Sequence, residues 1–187
     1  MNNDGVIGTT LQNEKYSVRI ATAHTYIEES ADNRSYDYIL NPNKLGRKNM
    51  YRTLCISVTG TKNAEIALVG DYYTSDIDCA ILEDNILTVL QNDYISQIDL
   101  ETVQIIAGYE LDVLGTTFSI YRMSDGYLIY GEIEIIKFDN DSMSHGNSAV
   151  GIFSSLLLTK TLLNSRIVQS SFMILKIIFM SLILTES

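Results

Sequence analysis

Short runs of β-branched and aromatic residues alternate with polar turn residues between Lys15 and Asp139. Residues of these types fit the pleated, half-buried surface of a sheet, and such runs are typical of strands. Eleven strands are predicted: Lys15–Ala23, Ser35–Leu40, Arg52–Val58, Ala64–Val69, Ile77–Leu82, Ile86–Gln91, Tyr94–Leu100, Val103–Tyr109, Thr117–Tyr121, Tyr127–Tyr130 and Glu132–Asp139. Turns are predicted at Asp84-Asn85, Asn92-Asp93, Asp125-Gly126 and Asn140-Asp141. The pattern predicts an all-β domain: an antiparallel meander with a propeller-like or sandwich arrangement.

The last predicted strand, Glu132–Asp139, departs from strict alternation of apolar and polar residues. In its sequence EIEIIKF two apolar residues become adjacent at Ile135-Ile136. Either a β-bulge at this point or burial of the strand on both faces would explain the adjacent pair.

The composition of the chain changes abruptly after Asp141. Residues 1–141 contain all 12 Tyr, 22 of the 23 acidic residues and 10 of the 13 basic residues. Residues 142–187 contain no Tyr, and Ser, Leu and Ile occupy 24 of their 46 positions. The chain therefore divides into a β-rich domain, 1–141, and a compositionally foreign apolar tail, 142–187.

Two explanations of the tail keep it as native sequence. The apolar run Ile167–Leu184 is near the lower limit of length for a membrane span. However, Lys176 lies inside this run and would cost about 2.5–3.5 kcal/mol on insertion. Alternatively, the tail forms a helix that begins near Asn164 or Ser165 and docks on the β-rich domain. We expect the tail to be helical.

A third explanation is that the tail is translated out of frame. Because Met has a single codon, Met173 followed by Ile174 becomes Asp when the message is read from the third base of each codon. Phe172 and Phe179, which both precede Met, become Tyr or His in that frame. For the other positions, permitted codons can be chosen so that the shifted frame has no stop and encodes an acidic, aromatic, strand-like sequence resembling the β-rich domain. We therefore predict a frameshift near Ser142–His145.

An internal repeat links two parts of the β-rich domain. ILTVLQNDYISQIDLE at Ile86–Glu101 matches YLIYGEIEIIKFDND at Tyr127–Asp141 in pattern. Asp99 and Asp139 end the matched strands. We call the distance along the chain from position 99 to position 139 the repeat interval.

The IDLET phrase after a strand pair resembles the outer hairpin of a blade in bacterial β-propeller-like proteins of the WD-repeat or quinoprotein-like kind. The resemblance covers about 60 residues. Propellers typically need about four to eight blades and this chain holds three at most. The alternatives are therefore an incomplete propeller, a sandwich or an open meander.

Charge and cysteine content limit the partners and the compartment. The net charge is -10, whereas nucleic-acid-binding domains are basic, so no nucleic-acid partner is expected. Residues 1–14 have neither the basic start nor the apolar run of a signal peptide, and two Cys do not make a disulfide framework. The reducing cytoplasm is the expected location. No cofactor is expected, because the sequence contains neither a Walker A motif nor a dinucleotide fingerprint.

The sequence offers few candidate catalytic residues. His24 is the sole His before the tail, whereas triads and most zinc sites need more than one such ligand or base. Cys55 and Cys79 lie in strand-like runs and are expected to pack in the core. Carboxylates of an acidic stretch could support a hydrolase at a set spacing across a cleft. That stretch contains Asp71, Asp76, Asp78, Glu83 and Asp84. A solvated face is the simpler explanation, so no catalytic residue and no metal site is predicted.

One basic cluster, in the sequence NPNKLGRKNMYR, is the candidate binding site. The cluster consists of Lys44, Arg47, Lys48 and Arg52. It lies in a predicted loop and could contact an anionic partner or the acidic face of the same chain. We expect a non-catalytic β-rich binding or scaffold protein, with a protein partner or self-association through the apolar tail. A carboxylate-dependent hydrolase and a membrane-anchored protein are the alternatives.

Overall fold

A computed structural model describes residues 8–26, 30–31, 35–45, 51–70, 79–91, 93–113, 115–131, 134–139 and 151–154. The regular elements in these ranges are all strands, which confirms the predicted all-β class. They are β1 (Gly8–Gln12), β2 (Tyr16–Tyr26), β3 (Tyr38–Leu40), β4 (Tyr51–Gly60), β5 (Ala64–Val69), β6 (Ala80–Glu83), β7 (Ile86–Gln91), β8 (Tyr94–Asp99), β9 (Gln104–Glu110), β10 (Thr117–Met123), β11 (Gly126–Gly131), β12 (Glu134–Asp139) and β13 (Gly151–Ser154).

The strands form three sheets, which we name A, B and C in chain order. Sheet A has the order β1-β2-β4-β5-β3, sheet B the order β6-β7-β8-β9 and sheet C the order β10-β11-β12-β13. Sheets B and C are antiparallel meanders, as predicted. In sheet A, β3 adds to β5 in parallel after a long excursion of the chain between β2 and β4. Within the described ranges, the sheets do not close into a ring.

Sheet B is the middle layer, because its strands are apolar on both faces. Successive residues of a strand point to opposite faces of a sheet. Leu87 and Val89 belong to the core that sheet B shares with sheet A. Leu90 and Ile95 belong to the second core, which sheet B shares with sheet C. The predicted strand-rich region therefore folds as a stack in the order A, B, C.

The first strands of the three sheets lie side by side. Strand β6 contacts β1 on one side and β10 on the other. Where β1 and β6 end, Asn13 Nδ2 donates a hydrogen bond of 2.7 Å to the Asp84 carbonyl. This bond joins the first hairpin turns of sheets A and B. We call β1, β6 and β10 the inner edges of their sheets, and β3, β9 and β13 the outer edges.

The two segments that match in the sequence repeat occupy the same place in sheets B and C. Each segment forms the second and third strands of its sheet. The register pairs Ile86 with Asp99 in sheet B and Gly126 with Asp139 in sheet C, so both members of the pair shift by the repeat interval. Consequently a residue of β7 or β8 has its structural counterpart one repeat interval later in the chain.

Two strands were absent from the sequence prediction. Strand β1 has the sequence GTTLQ, which contains a single large apolar residue, Leu11. Strand β13 lies in the tail, for which we predicted a helix, yet residues 151–154 pair with β12 from Glu134↔Ser154 to Lys137↔Gly151. The rest of the tail lies outside the described residues, so its predicted helix stays a prediction.

The adjacent pair Ile135-Ile136 reflects burial on two faces rather than a bulge. The register between β11 and β12 is continuous, with Tyr130↔Ile135 and Ile129↔Ile136. Ile136 is buried in the core shared with sheet B, and Ile135 is half-buried on the opposite face of sheet C.

Candidate functional site

The predicted basic cluster begins in a compact turn that follows the outer edge of sheet A. The Asn41 side chain closes this turn, since its Nδ2 donates to the Leu45 carbonyl at 3.0 Å and its Oδ1 accepts from the Leu45 N–H at 3.0 Å. The Lys44 N–H also donates to the Asn41 carbonyl at 3.2 Å. Lys44 has a φ of 52°, a value uncommon for a residue with a side chain, and is exposed. The turn therefore directs Lys44 into solvent.

The other members of the cluster are not brought to Lys44 by any described contact. Arg52 lies near the start of β4, and its side chain is outside the described part of the chain. Arg47 and Lys48 are themselves outside the described residues. The predicted four-residue cluster thus stays a prediction, with Lys44 as its described member.

An exposed apolar residue lies beside this turn. Ile39, in the middle of outer-edge strand β3, is 51% exposed. Its neighbours Tyr38 and Leu40 point the other way and pack against the core shared by sheets A and B. Strand β3 is held at its start because the Glu65 N–H donates to Asp37 Oδ2 at 2.8 Å and the Asp37 N–H donates to the Glu65 carbonyl at 2.8 Å. Ile39 therefore lies on a strand whose start is held in place by hydrogen bonds to Glu65.

Lys62 fastens the outer edge of sheet A to sheet B. Its Nζ lies 5.0 Å from the centroid of the Tyr38 ring, within cation–π range. The same Nζ donates a hydrogen bond of 3.4 Å to the Glu101 carbonyl in the turn between β8 and β9. Lys62 therefore links edge strand β3 of sheet A to the β8–β9 turn of sheet B.

A second exposed apolar residue lies on the outer edge of sheet B. Ile106, in β9, is 53% exposed. The register passes from Gln97↔Ala107 to Ile98↔Ile105, so Ile106 is the extra residue of a β-bulge. Among the described residues, Ile39 and Ile106 are the exposed large hydrophobic side chains, and both lie on outer-edge strands. We name Ile39, Lys44 and Ile106 the outer-edge surface.

A polar cluster that the sequence did not predict lies between sheets B and C. The Tyr127 hydroxyl lies 3.4 Å from Thr88 Oγ1, and Gln97 Nε2 donates to the Tyr127 hydroxyl at 3.3 Å. The Tyr127 hydroxyl also donates to Glu83 Oε2 at 3.5 Å. Burial, and secondarily the neighbouring Tyr127, raise the pKa of Tyr109 on the same side of sheet B. These polar groups hydrogen-bond to one another, and the bonds link sheet B to sheet C.

The acidic stretch is divided between described and undescribed residues. Asp71, Asp76 and Asp78 lie outside the described ranges, so the hydrolase alternative stays a prediction there. Of the two described members, Glu83 pairs with Arg122, its Oε1 accepting from Arg122 Nε at 2.9 Å. Asp84 occupies the turn between β6 and β7 with a φ of 50°.

Both cysteines are buried, as predicted for core residues, and no disulfide joins them to each other. Cys55 Sγ donates to Glu65 Oε2 at 3.6 Å. His24 lies in β2, but its side chain is outside the described part of the chain. In the described ranges, no group of three or more His, Cys, Asp or Glu side chains is placed to hold a metal ion.

Comparisons with known proteins give no relative from which a function could be transferred. No protein-family model, no curated protein and no solved structure matches the chain.

Among the described residues, no helix has the length and apolar character needed to cross a membrane. The candidate span 167–184 lies outside these residues.

Proposed function

We propose that the chain is a non-catalytic, protein-binding scaffold of the cytoplasm, and that its outer-edge surface is the contact site. The observation that carries the proposal is the position of Ile39 and Ile106. Both large apolar side chains are more than half exposed, and both lie on the outer-edge strands of neighbouring sheets. Isolated apolar residues on a surface are ordinary, but each of these two lies on an edge strand, where a partner segment can pair with the backbone.

The partner we propose is a protein segment with apolar and acidic side chains. Lys44 is exposed in the turn that follows Ile39, so a cation adjoins the apolar position. Outward-facing backbone groups of an edge strand can pair with an extended segment, and the side chains of that strand give specificity. An acidic segment would also gain from Arg47, Lys48 and Arg52, if these lie near Lys44 as the sequence predicts.

The arrangement of sheets supports a propeller-like scaffold as part of this proposal. The sheets stack in chain order, their first strands adjoin one another, and the second and third strands of sheets B and C recur at the repeat interval. Blades of a propeller follow one another in the same way around a central axis. A cytoplasmic location is consistent with two buried cysteines that form no disulfide with each other.

Selection from a random peptide library displayed on phage tests the binding proposal. We expect enrichment of peptides that combine apolar and acidic residues, with binding at least about tenfold weaker to the Ile39→Asp and Ile106→Asp variants. The matched control is Thr10→Asp, which places the same charge at an exposed position of inner-edge strand β1. Equal effects of all three substitutions, or no enrichment of any peptide class, would contradict the proposal.

A further inference from the structure

Sheet C presents a second apolar face, directed away from sheet B. Tyr127, Ile129 and Ile136 point into the core shared with sheet B. Because side chains alternate along a strand, Leu128 and Ile135 point to the opposite face. We name this the outward face of sheet C; its members used here are Ser119, Leu128, Tyr130, Ile135 and Lys137.

The sequence repeat relates the outward face of sheet C to a face of sheet B that is covered by another sheet. The residues of sheet B that lie one repeat interval earlier than Leu128, Tyr130 and Ile135 are Thr88, Leu90 and Ile95. All three of these residues are buried, on the face of sheet B that sheet C covers. The counterpart face of sheet C keeps an apolar or aromatic residue at each of these three positions, since Leu128 replaces Thr88, Tyr130 replaces Leu90 and Ile135 replaces Ile95. The fold therefore repeats a surface whose equivalent is buried by another layer.

The outward face is buried in part. Leu128 is 9% exposed and Ser119 is 6% exposed. Among the described strands, β6 and β7 of sheet B make the main contacts with sheet C, on its other side. We infer that residues 155–187 of this chain cover the outward face of sheet C.

Chain connectivity and charge both point to this occupant. The chain leaves sheet C at Ser154, the last residue of β13, and continues to Ser187. Residues 155–187 contain three basic residues and one acidic residue, whereas residues 1–141 contain 10 basic and 22 acidic residues. A cationic apolar segment is thus tethered beside an apolar face of an acidic domain.

A second copy of the chain is a poorer occupant. Two β-rich domains with like net charge would repel each other. The inference is independent of the reading frame from which the tail is translated, because it depends on the composition of the tail and its attachment.

Cysteine cross-linking in the full chain tests the inference. Ile135→Cys is combined in turn with Leu157→Cys, Ile167→Cys, Leu175→Cys or Ile183→Cys, and a short bis-maleimide is added. Cross-linking within one chain is expected for at least one pair. The matched control replaces Ile135→Cys by Ile106→Cys, on the outer edge of sheet B, and should give several-fold less product. If Ile135→Cys does not fold, Lys137→Cys takes its place.

The reaction of single cysteine variants with a maleimide gives a second readout. A cysteine at position 135 should react at least about tenfold more slowly than one at position 106, because the tail excludes the reagent. Cross-links between chains would assign the face to a second copy and overturn the inference. Equal labelling rates, or protection of position 135 without a cross-link to any tail position, would also overturn it.

Discussion

Arg122 of sheet C reaches across the stack to Glu83 at the end of β6, with Nε and Oε1 separated by 2.9 Å. Its Nη1 also donates to the Gly126 carbonyl at 2.7 Å, and its guanidinium lies 4.9 Å from the centroid of the Tyr127 ring. Arg122 thus fixes the turn of its own hairpin while it contacts the inner edge of sheet B. Arg122 thereby joins sheets B and C, just as the hydrogen bond from Asn13 to the Asp84 carbonyl joins sheets A and B.

The contribution of this ion pair should be small, because both side chains are partly solvated. Their exposed fractions are 35% for Arg122 and 45% for Glu83. A double-mutant cycle with Glu83→Gln and Arg122→Gln should give a coupling free energy of about 0.2–1 kcal/mol. Urea unfolding in low salt measures it, and added salt should reduce it. A salt-independent coupling above about 2 kcal/mol would contradict the view that the pair is solvent-screened.

Gly60 should resist substitution more strongly than Gly108. Gly60 has a φ of +153°, and a Cβ at this position would lie 2.1 Å from the Lys15 carbonyl oxygen, so backbone would have to move. At Gly108 a Cβ would lie 2.2 Å from the Tyr94 hydroxyl, the far end of a side chain that can rotate. Gly60→Ala should lower the free energy of unfolding by about 1–3 kcal/mol. Gly108→Ala is the control and should cost less; the reverse order in urea unfolding would contradict this explanation.

Asp99 should contribute to stability in a pH-dependent way. Hydrogen bonds hold the pKa of its carboxyl below the usual range, above all the bond from the Thr102 N–H and also that from the Glu101 N–H. Because the pKa is depressed on folding, the contribution is present above the unfolded-state pKa, about 3.9, and is lost as pH falls through the folded-state value. Asp99→Ala should therefore be less stable than the wild type at pH 7.

The stability gap between Asp99→Ala and the wild type should narrow as pH falls through the acidic range in which Asp99 becomes protonated. Chemical unfolding at a series of pH values measures the gap. A gap that stays constant from neutral to acidic pH would mean that the Asp99 carboxylate does not stabilise the turn between β8 and β9.

The coding DNA should carry one gained or lost base near Ser142–His145 relative to the native locus. The expectation rests on the compositional break after Asp141 and on the acidic, aromatic sequence in the alternative frame. Sequencing the locus is the measurement. Early stops in that frame, or an open frame without aromatic residues just after Asp141, would contradict the prediction.

The strands were predictable where apolar runs are long enough to be buried. Ala64–Val69 and Ile86–Gln91 coincide with β5 and β7, which lie inside their sheets and need apolar residues on both faces. Strand β1 was missed because an edge strand pairs on one side and needs fewer such residues. Strand β13 was missed because the apolar tail has no period that distinguishes a strand from a helix.

The candidate site was predictable in part. Lys44 stood out as one of four close basic residues, a local signal. The exposure of Ile39 and Ile106 depends on which strands become outer edges, and the Glu83–Arg122 pair depends on how sheets B and C stack. Arg122 and Glu83 are 39 residues apart in the chain, so no local pattern joins them. Such contacts follow from tertiary packing and carry no short-range sequence signal.

Sheet B is a middle layer with sheets A and C on its two faces. Gln91 Nε2 donates to the Val69 carbonyl at 3.1 Å across one interface, and Thr88 Oγ1 lies 3.4 Å from the Tyr127 hydroxyl across the other. A nuclear Overhauser spectrum of the full chain tests both contacts at once. Cross-peaks are expected from the Gln91 side-chain amide to Val69 and from the Tyr127 ring to Thr88. A spectrum in which the Tyr127 ring has cross-peaks within sheet C but none to sheet B would contradict this arrangement of the sheets.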